Sequence, residues 1–169
     1  MDAQGADAAR PYAEPTLETF PTVIDAENLL GDSFGFKAIP NGVMISADGR
    51  LEGSIAGGFE IRQDKTRELV EGWLDADDAA IPEDESDHEW SAEALTLFRE
   101  AGAAVRQGER DRAIKLLKQA FPLEPDNLII RKQLWAIEHP EKFYEGDVDY
   151  GWQREQLEAK FFDLASMQG

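Results

Sequence analysis

The spacing of apolar positions changes along this chain. Up to about residue 74 they come in short runs punctuated by Gly and Pro, whereas beyond residue 91 they recur at helical spacing. Ala3 to Glu14 reads as a short helix with Pro11 inside it, and proline is tolerated only in a first turn, so that helix starts late or kinks there. Phe20 to Ile24 is an extended run. Asp25 is placed to N-cap a helix reaching Phe34, with Leu29, Leu30 and Phe34 on its apolar face and Gly35 as its stop. Gly42 to Ser46 predicts a strand, Asp48-Gly49 a hairpin turn, and Leu51 to Ala56 the returning strand ended by Gly57-Gly58. Gln63 to Leu74 predicts a helix whose Leu69, Val70, Trp73 and Leu74 are spaced to pack on a sheet. The second half predicts helices over 91–107, 110–121, Asn127 to Ile137 and Tyr150 to Met167. Leu128, Ile130, Leu134, Trp135 and Ile137 give the third of these a capping face. Trp152, Leu157, Phe161, Phe162 and Leu164 do the same for the last, as core side chains.

Charge separates the two halves. Residues 75–90 read DADDAAIPEDESDHEW, with eight acidic residues and neither Lys nor Arg. Self-repulsion and the shortage of apolar side chains make this a solvated linker, with a cation- or protein-binding tract as the alternative. The whole chain carries 17 basic and 35 acidic residues, 17 − 35 = −18, which disfavours nucleic acid and anionic membranes as partners. The longest apolar runs, such as Leu128 to Ile130, fall far short of the roughly 20 residues of a membrane span. Asp2 follows Met1 with no apolar stretch behind it, so no secretory signal is visible. A cytoplasmic location follows, unless a targeting signal precedes Met1.

Candidate chemistry is sparse. The chain has no cysteine, which removes disulfides, thiolate metal sites and cysteine nucleophiles from it. His88 and His139 lack ligand spacing, so no metal is expected. Asp147 and Asp149 could pair as carboxylates but sit in a chain dense in acids. Gly57-Gly58 lacks the glycine spacing and lysine of a phosphate loop. No cofactor is implied.

The string FPTVIDAENLLGDSFGFKAIPNGVMISADGRLEGSIAGG is more specific. Its order is an FP-x-x-ID run, a helix ending in Gly-Phe, Ile39-Pro40, a strand, a D-G turn, a second strand, a glycine pair and a closing helix. This order resembles the C-terminal half of a thioredoxin-like domain of the redoxin class, over Asp2 to about Leu74. That class comprises thiol–disulfide reductase and peroxiredoxin-like domains. The resemblance implies that the Ile39–Pro40 peptide is cis. It also implies that Ile39, Pro40 and Asn41 present backbone to an extended peptide or a facing thiol. Asn41 stands where the family more often has Thr. The family's catalytic cysteine, at a helix N-terminus that lowers its pKa, would lie upstream of Met1, with two further strands. The resemblance therefore implies an incomplete front and an unpaired edge at Gly42 to Ser46, open to self-association.

EALTLFREAGAAVRQGERDRAIKLLKQAFPLEPDN, residues 93–127, resembles one tetratricopeptide repeat at Leu97, Ala101, Ala104, Gly108, Ala113, Leu117, Ala120 and Pro125. Small residues at 101, 104, 113 and 120 let two antiparallel helices approach, and Gly108 turns the chain between them. Glu100 and an early Pro122 depart from the pattern.

The fold class expected is α/β, a partial thioredoxin-like fold, followed by an all-α helical hairpin region. Its segments are 1–74, a linker over 75–90, and 91–169. Two functions follow. One is a redoxin-class protein, of thiol–disulfide or peroxide chemistry by resemblance, that lacks the catalytic cysteine segment in this chain. The other is a non-enzymatic interaction module built on the helical hairpin. Both imply a protein or peptide partner.

Overall fold

The computed structural model describes residues 5–55, 57–75 and 89–166. The acidic stretch 76–88 with His88 lies outside the described residues, as do Ala3, Ala56 and Met167. The side chains of Phe161, Phe162 and Leu164 lie outside them too. The described residues are mostly helical, with one two-stranded antiparallel sheet among them. Its contacts divide it into residues up to Gln133 and residues from Leu134 on.

In the first unit, α1 (Ala6–Ala13) starts before Pro11 and carries it beyond the first turn instead of starting late, and a single 3-10 turn, Glu14–Thr16, follows with Pro15 at its start. Phe20 to Ile24 joins no sheet. Asp25 caps as its position predicts: its two carboxylate oxygens accept the Leu29 and Leu30 N–H groups at 2.7 and 2.8 Å. The helix it caps is only α2 (Leu29–Ser33), because Asn28 takes a left-handed conformation at φ 53° and delays the first turn. Of the apolar face expected there, Phe34 is half-buried against the Phe36 ring, whereas Leu29 and Leu30 are exposed and Gly31 faces inward.

Strand β1 (Gly42–Ile45) pairs antiparallel with β2 (Leu51–Ile55). Ser46 N–H donates to the Arg50 carbonyl at 2.9 Å, so the loop has three residues with Gly49 left-handed at φ 83°, the form that favours glycine. The register shifts from Ile45 opposite Leu51 to Met44 opposite Gly53, which leaves Glu52 as a bulge residue. Its carboxylate accepts the Trp73 indole N–H at 2.6 Å, tying β2 to α3 (Asp64–Asp75). Met44 is buried, and the Phe59 ring lies so close to Gly42 that a Cβ there would clash with it.

The helices α4 (Ala92–Arg106) and α5 (Arg110–Ala120) form an antiparallel hairpin. Ser91 caps α4 by accepting the Ala94 N–H, and Gly108 at φ 76° makes the turn. Ala101, Ala104, Ala113, Leu117 and Ala120 are all at most 1% exposed, so the small residues do let the backbones close up. A 3-10 turn, Phe121–Leu123, leads to Asn127, whose side chain accepts the Ile129 and Ile130 N–H groups and starts α6 (Leu128–Glu138).

Residues Phe36 and Lys37 are stapled into this helical part. The Trp90 indole N–H donates to the Phe36 carbonyl at 3.0 Å. The Leu128 and Ile129 N–H groups donate to the Lys37 carbonyl at 2.7 and 3.2 Å. Glu124, nearly buried, accepts the Lys37 ammonium at 2.9 Å and the Ser91 N–H at 2.7 Å. On the α4 surface Arg99 holds the Glu27 carbonyl and the Asp32 carboxylate, and Arg106 holds the Glu27 carboxylate.

In the second unit Trp152, on α7 (Tyr150–Ser166), meets the rings of Trp135, His139 and Phe143 edge-on at centroid distances of 5.5, 5.0 and 6.4 Å. Asp149 caps α7 through the Trp152 N–H at 2.9 Å and pairs with Lys142 at 3.0 Å. The Trp152 N–H first, then Lys142, hold its carboxyl below the usual carboxylate range.

Candidate functional site

The residues singled out in the sequence, Ile39, Pro40 and Asn41, form the loop that leads into β1. The loop is pinned from three directions. The Asn41 amide N–H donates to the Ala38 carbonyl, and its Oδ1 accepts the Gly57 N–H at 2.6 Å. The Pro40 carbonyl accepts the Phe59 N–H at 3.1 Å. Asn41 thus joins the start of the hairpin to the glycine pair at its end, and a side chain with both a donor and an acceptor is needed to do so. Threonine, with one hydroxyl, would span that gap less readily.

The Ile39–Pro40 peptide is cis, as the resemblance implies. Ile39 is 39% exposed and Pro40 is exposed beside it, so these two present surface, whereas Asn41 positions them. Behind the loop runs β1. Among the described residues it has β2 as its one neighbour, so its other edge carries unpaired backbone groups. Ile45 is 45% exposed at its far end.

Of the other candidates, Asp149 is a helix cap paired with Lys142, and nothing places Asp147 beside it as a catalytic partner. His139 packs against Trp152 and lies 3.5 Å from Glu141. Among the described residues no group of three or more His, Asp or Glu could hold a metal ion. None of their helices is long and apolar enough to cross a membrane. Glu60 is held down to about 2 by hydrogen bonds from Arg62, but this is an exposed neighbour pair with no third group to act on.

The residues that fasten the loop to the helices were not foreseen. Lys37 and Glu124 are unremarkable in a charged sequence, and Trp90 sits at the end of the acidic stretch. The one available signal was the apolar mass of Trp90, the only aromatic residue in the acidic stretch 75–90. Comparison with known proteins adds nothing to the geometry: no protein-family model, no curated protein and no solved structure matches the chain.

Proposed function

We propose that this chain is a thioredoxin-like, redoxin-class protein that works by holding an extended protein segment against loop 39–41 and the edge of β1 that no other described strand pairs. It carries no cysteine, so thiol–disulfide exchange or peroxide reduction would need a thiolate from outside this chain. The observation that carries the reading is the double hydrogen bond of Asn41. It fixes an exposed Ile39–Pro40 pair at the head of a strand with one edge unpaired among the described residues. A strand laid along that edge gains main-chain hydrogen bonds, and Ile39 offers it an apolar contact. The helical hairpin acts as the scaffold in this reading, because its Arg99 and Arg106 are already occupied by residues 26–32 of the same chain.

The test is fluorescence anisotropy with a labelled protein that has been reduced, carboxymethylated and so kept unfolded. Ile39→Asp should weaken binding by about tenfold or more, and Asn41→Ala by several-fold through loss of loop order. Binding by Ile39→Asp equal to the parent would sink the reading. If sedimentation instead shows a dimer that Ile45→Lys dissociates, the strand on this edge is a second copy of the chain.

A further inference from the structure

A second surface, separate from that loop, has the features of a binding site. The helix α1 and the segment Phe20 to Asp25 enclose a groove of about 520 Å³, a volume within the range of ligand sites. Ala9, Ala13 and Thr16 line it from the helical side. Tyr12, Phe20, Val23 and Ile24 also line it, and they are 68%, 53%, 80% and 38% exposed. Apolar side chains left this open along one groove mark an interaction surface rather than an ordinary scatter.

The backbone beside the groove identifies the shape of the occupant. Among the described residues, Thr22, Val23 and Ile24 make no backbone hydrogen bond. Three successive peptide groups in an unpaired, apolar segment are completed by the addition of a strand, which supplies donors and acceptors in register and alternate side chains to the groove. Pro21 lacks an N–H, so pairing begins at Thr22.

The charge identifies its flanks. No Lys or Arg occurs between Arg10 and Lys37, while Glu14, Glu18, Asp25, Glu27 and Asp32 do. Asp25 is committed to the α2 cap, and Glu27 and Asp32 to Arg106 and Arg99. Glu14 and Glu18 have no ion-pair partner among the described residues and lie in sequence between the groove residues Ala13 and Phe20. A second copy of this chain would bring the same carboxylates opposite themselves, and like charges across an interface are unfavourable. We propose that this groove takes an extended segment of a partner protein, apolar at alternate positions and flanked by Lys or Arg.

The test uses the full chain and a short fluorescein-labelled peptide of alternating valine and threonine with lysines at both ends. Anisotropy should show saturable binding. Replacing the valines by serine, with the lysines kept, should weaken it by about tenfold, and so should replacing the lysines by glutamate. Val23→Pro keeps an apolar side chain but removes an N–H, and should cost about tenfold. Glu14→Lys with Glu18→Lys should weaken binding and flatten its salt dependence. Leu123→Ser, at an exposed position of the helical region, should bind the probe as the parent does. Equal binding of the serine peptide, unchanged affinity in Val23→Pro, or loss of binding in Leu123→Ser would each overturn the proposal.

Discussion

Residues 5–75 and residues 90–137 follow opposite rules of burial. Before Trp90, Met44 is the only buried hydrophobic side chain among the described residues. From Trp90 to Ile137 buried apolar residues recur through α4, α5 and α6. Of the large hydrophobic residues that stand exposed among the described residues, all but Leu123, Tyr144 and Tyr150 precede Asp75. The first region has the elements of a packed layer without the layer's core. It holds its shape by polar fastenings: Asp25 on α2, Asn41 on Gly57, Glu52 on Trp73, and the Phe36–Lys37 staple. Hydrogen bonds fix geometry but contribute only about 1 kcal/mol each net of water. A region built on them keeps its apolar surface available for a partner, whereas the helical region has used its own.

The largest effect should come from the residue that joins the two regions. Trp90 packs on Phe98 at 5.4 Å and donates to the Phe36 carbonyl. Trp90→Ala should cost about 3–5 kcal/mol in chemical denaturation. A loss below about 1 kcal/mol would mean that the first region contributes nothing to the stability of the helices.

Next is the gap between the regions themselves. Amides of 113–120 lie in the tightest part of the hairpin, and those of 42–45 in a sheet of two strands. Hydrogen exchange should place the opening free energies of the helix amides about 2–3 kcal/mol above those of the strand. Equal protection would show that the sheet opens only with the whole unit. Glu124→Ala should then cost about 2 kcal/mol, because it strands the Lys37 ammonium and the Ser91 N–H together, and Glu124→Gln should recover part of that. Gly42→Ala should cost about 1–2 kcal/mol, since the Phe59 ring must move to admit the new methyl. A crystal structure of that variant with Phe59 unmoved would contradict the account.

The sequence was most legible where a local rule acts alone. The α4–α5 hairpin followed from small residues at 101, 104, 113 and 120, because close helix packing leaves nothing else at those positions. Asp25 announced a helix start because a cap is a contact over a few residues. Leu29 and Leu30 misled for the same reason: helical spacing states which side chains could be buried together, not whether anything lies there to bury them. The bulge at Glu52 and the staple at Lys37 join residues far apart in the chain, and no local pattern encodes such a meeting. At the candidate site, Ile39 and Pro40 are exposed. Asn41, where the sequence resemblance expects threonine, is the residue that holds the loop.

The smallest effect sharpens the comparison most. Leu30 is 49% exposed on α2, and its N–H is held by Asp25 whatever its side chain. If the first region has no core of its own, Leu30→Ser removes apolar surface that was already wet, and stability should move by less than about 0.5 kcal/mol. The same substitution at the buried Leu117 would leave a cavity and an unpaired hydroxyl, costing several times more. Urea denaturation of the two variants side by side is the measurement. A Leu30→Ser cost near that of Leu117→Ser would require that Leu30 be covered in solution, and none of the described residues covers it. Repeating the melt across a range of protein concentrations then decides the matter. A concentration-dependent midpoint in the parent that Leu30→Ser abolishes identifies the cover as a second copy. A midpoint independent of concentration, with a small cost, leaves the first region as drawn: shaped by its caps and staples, with its apolar side chains facing outward.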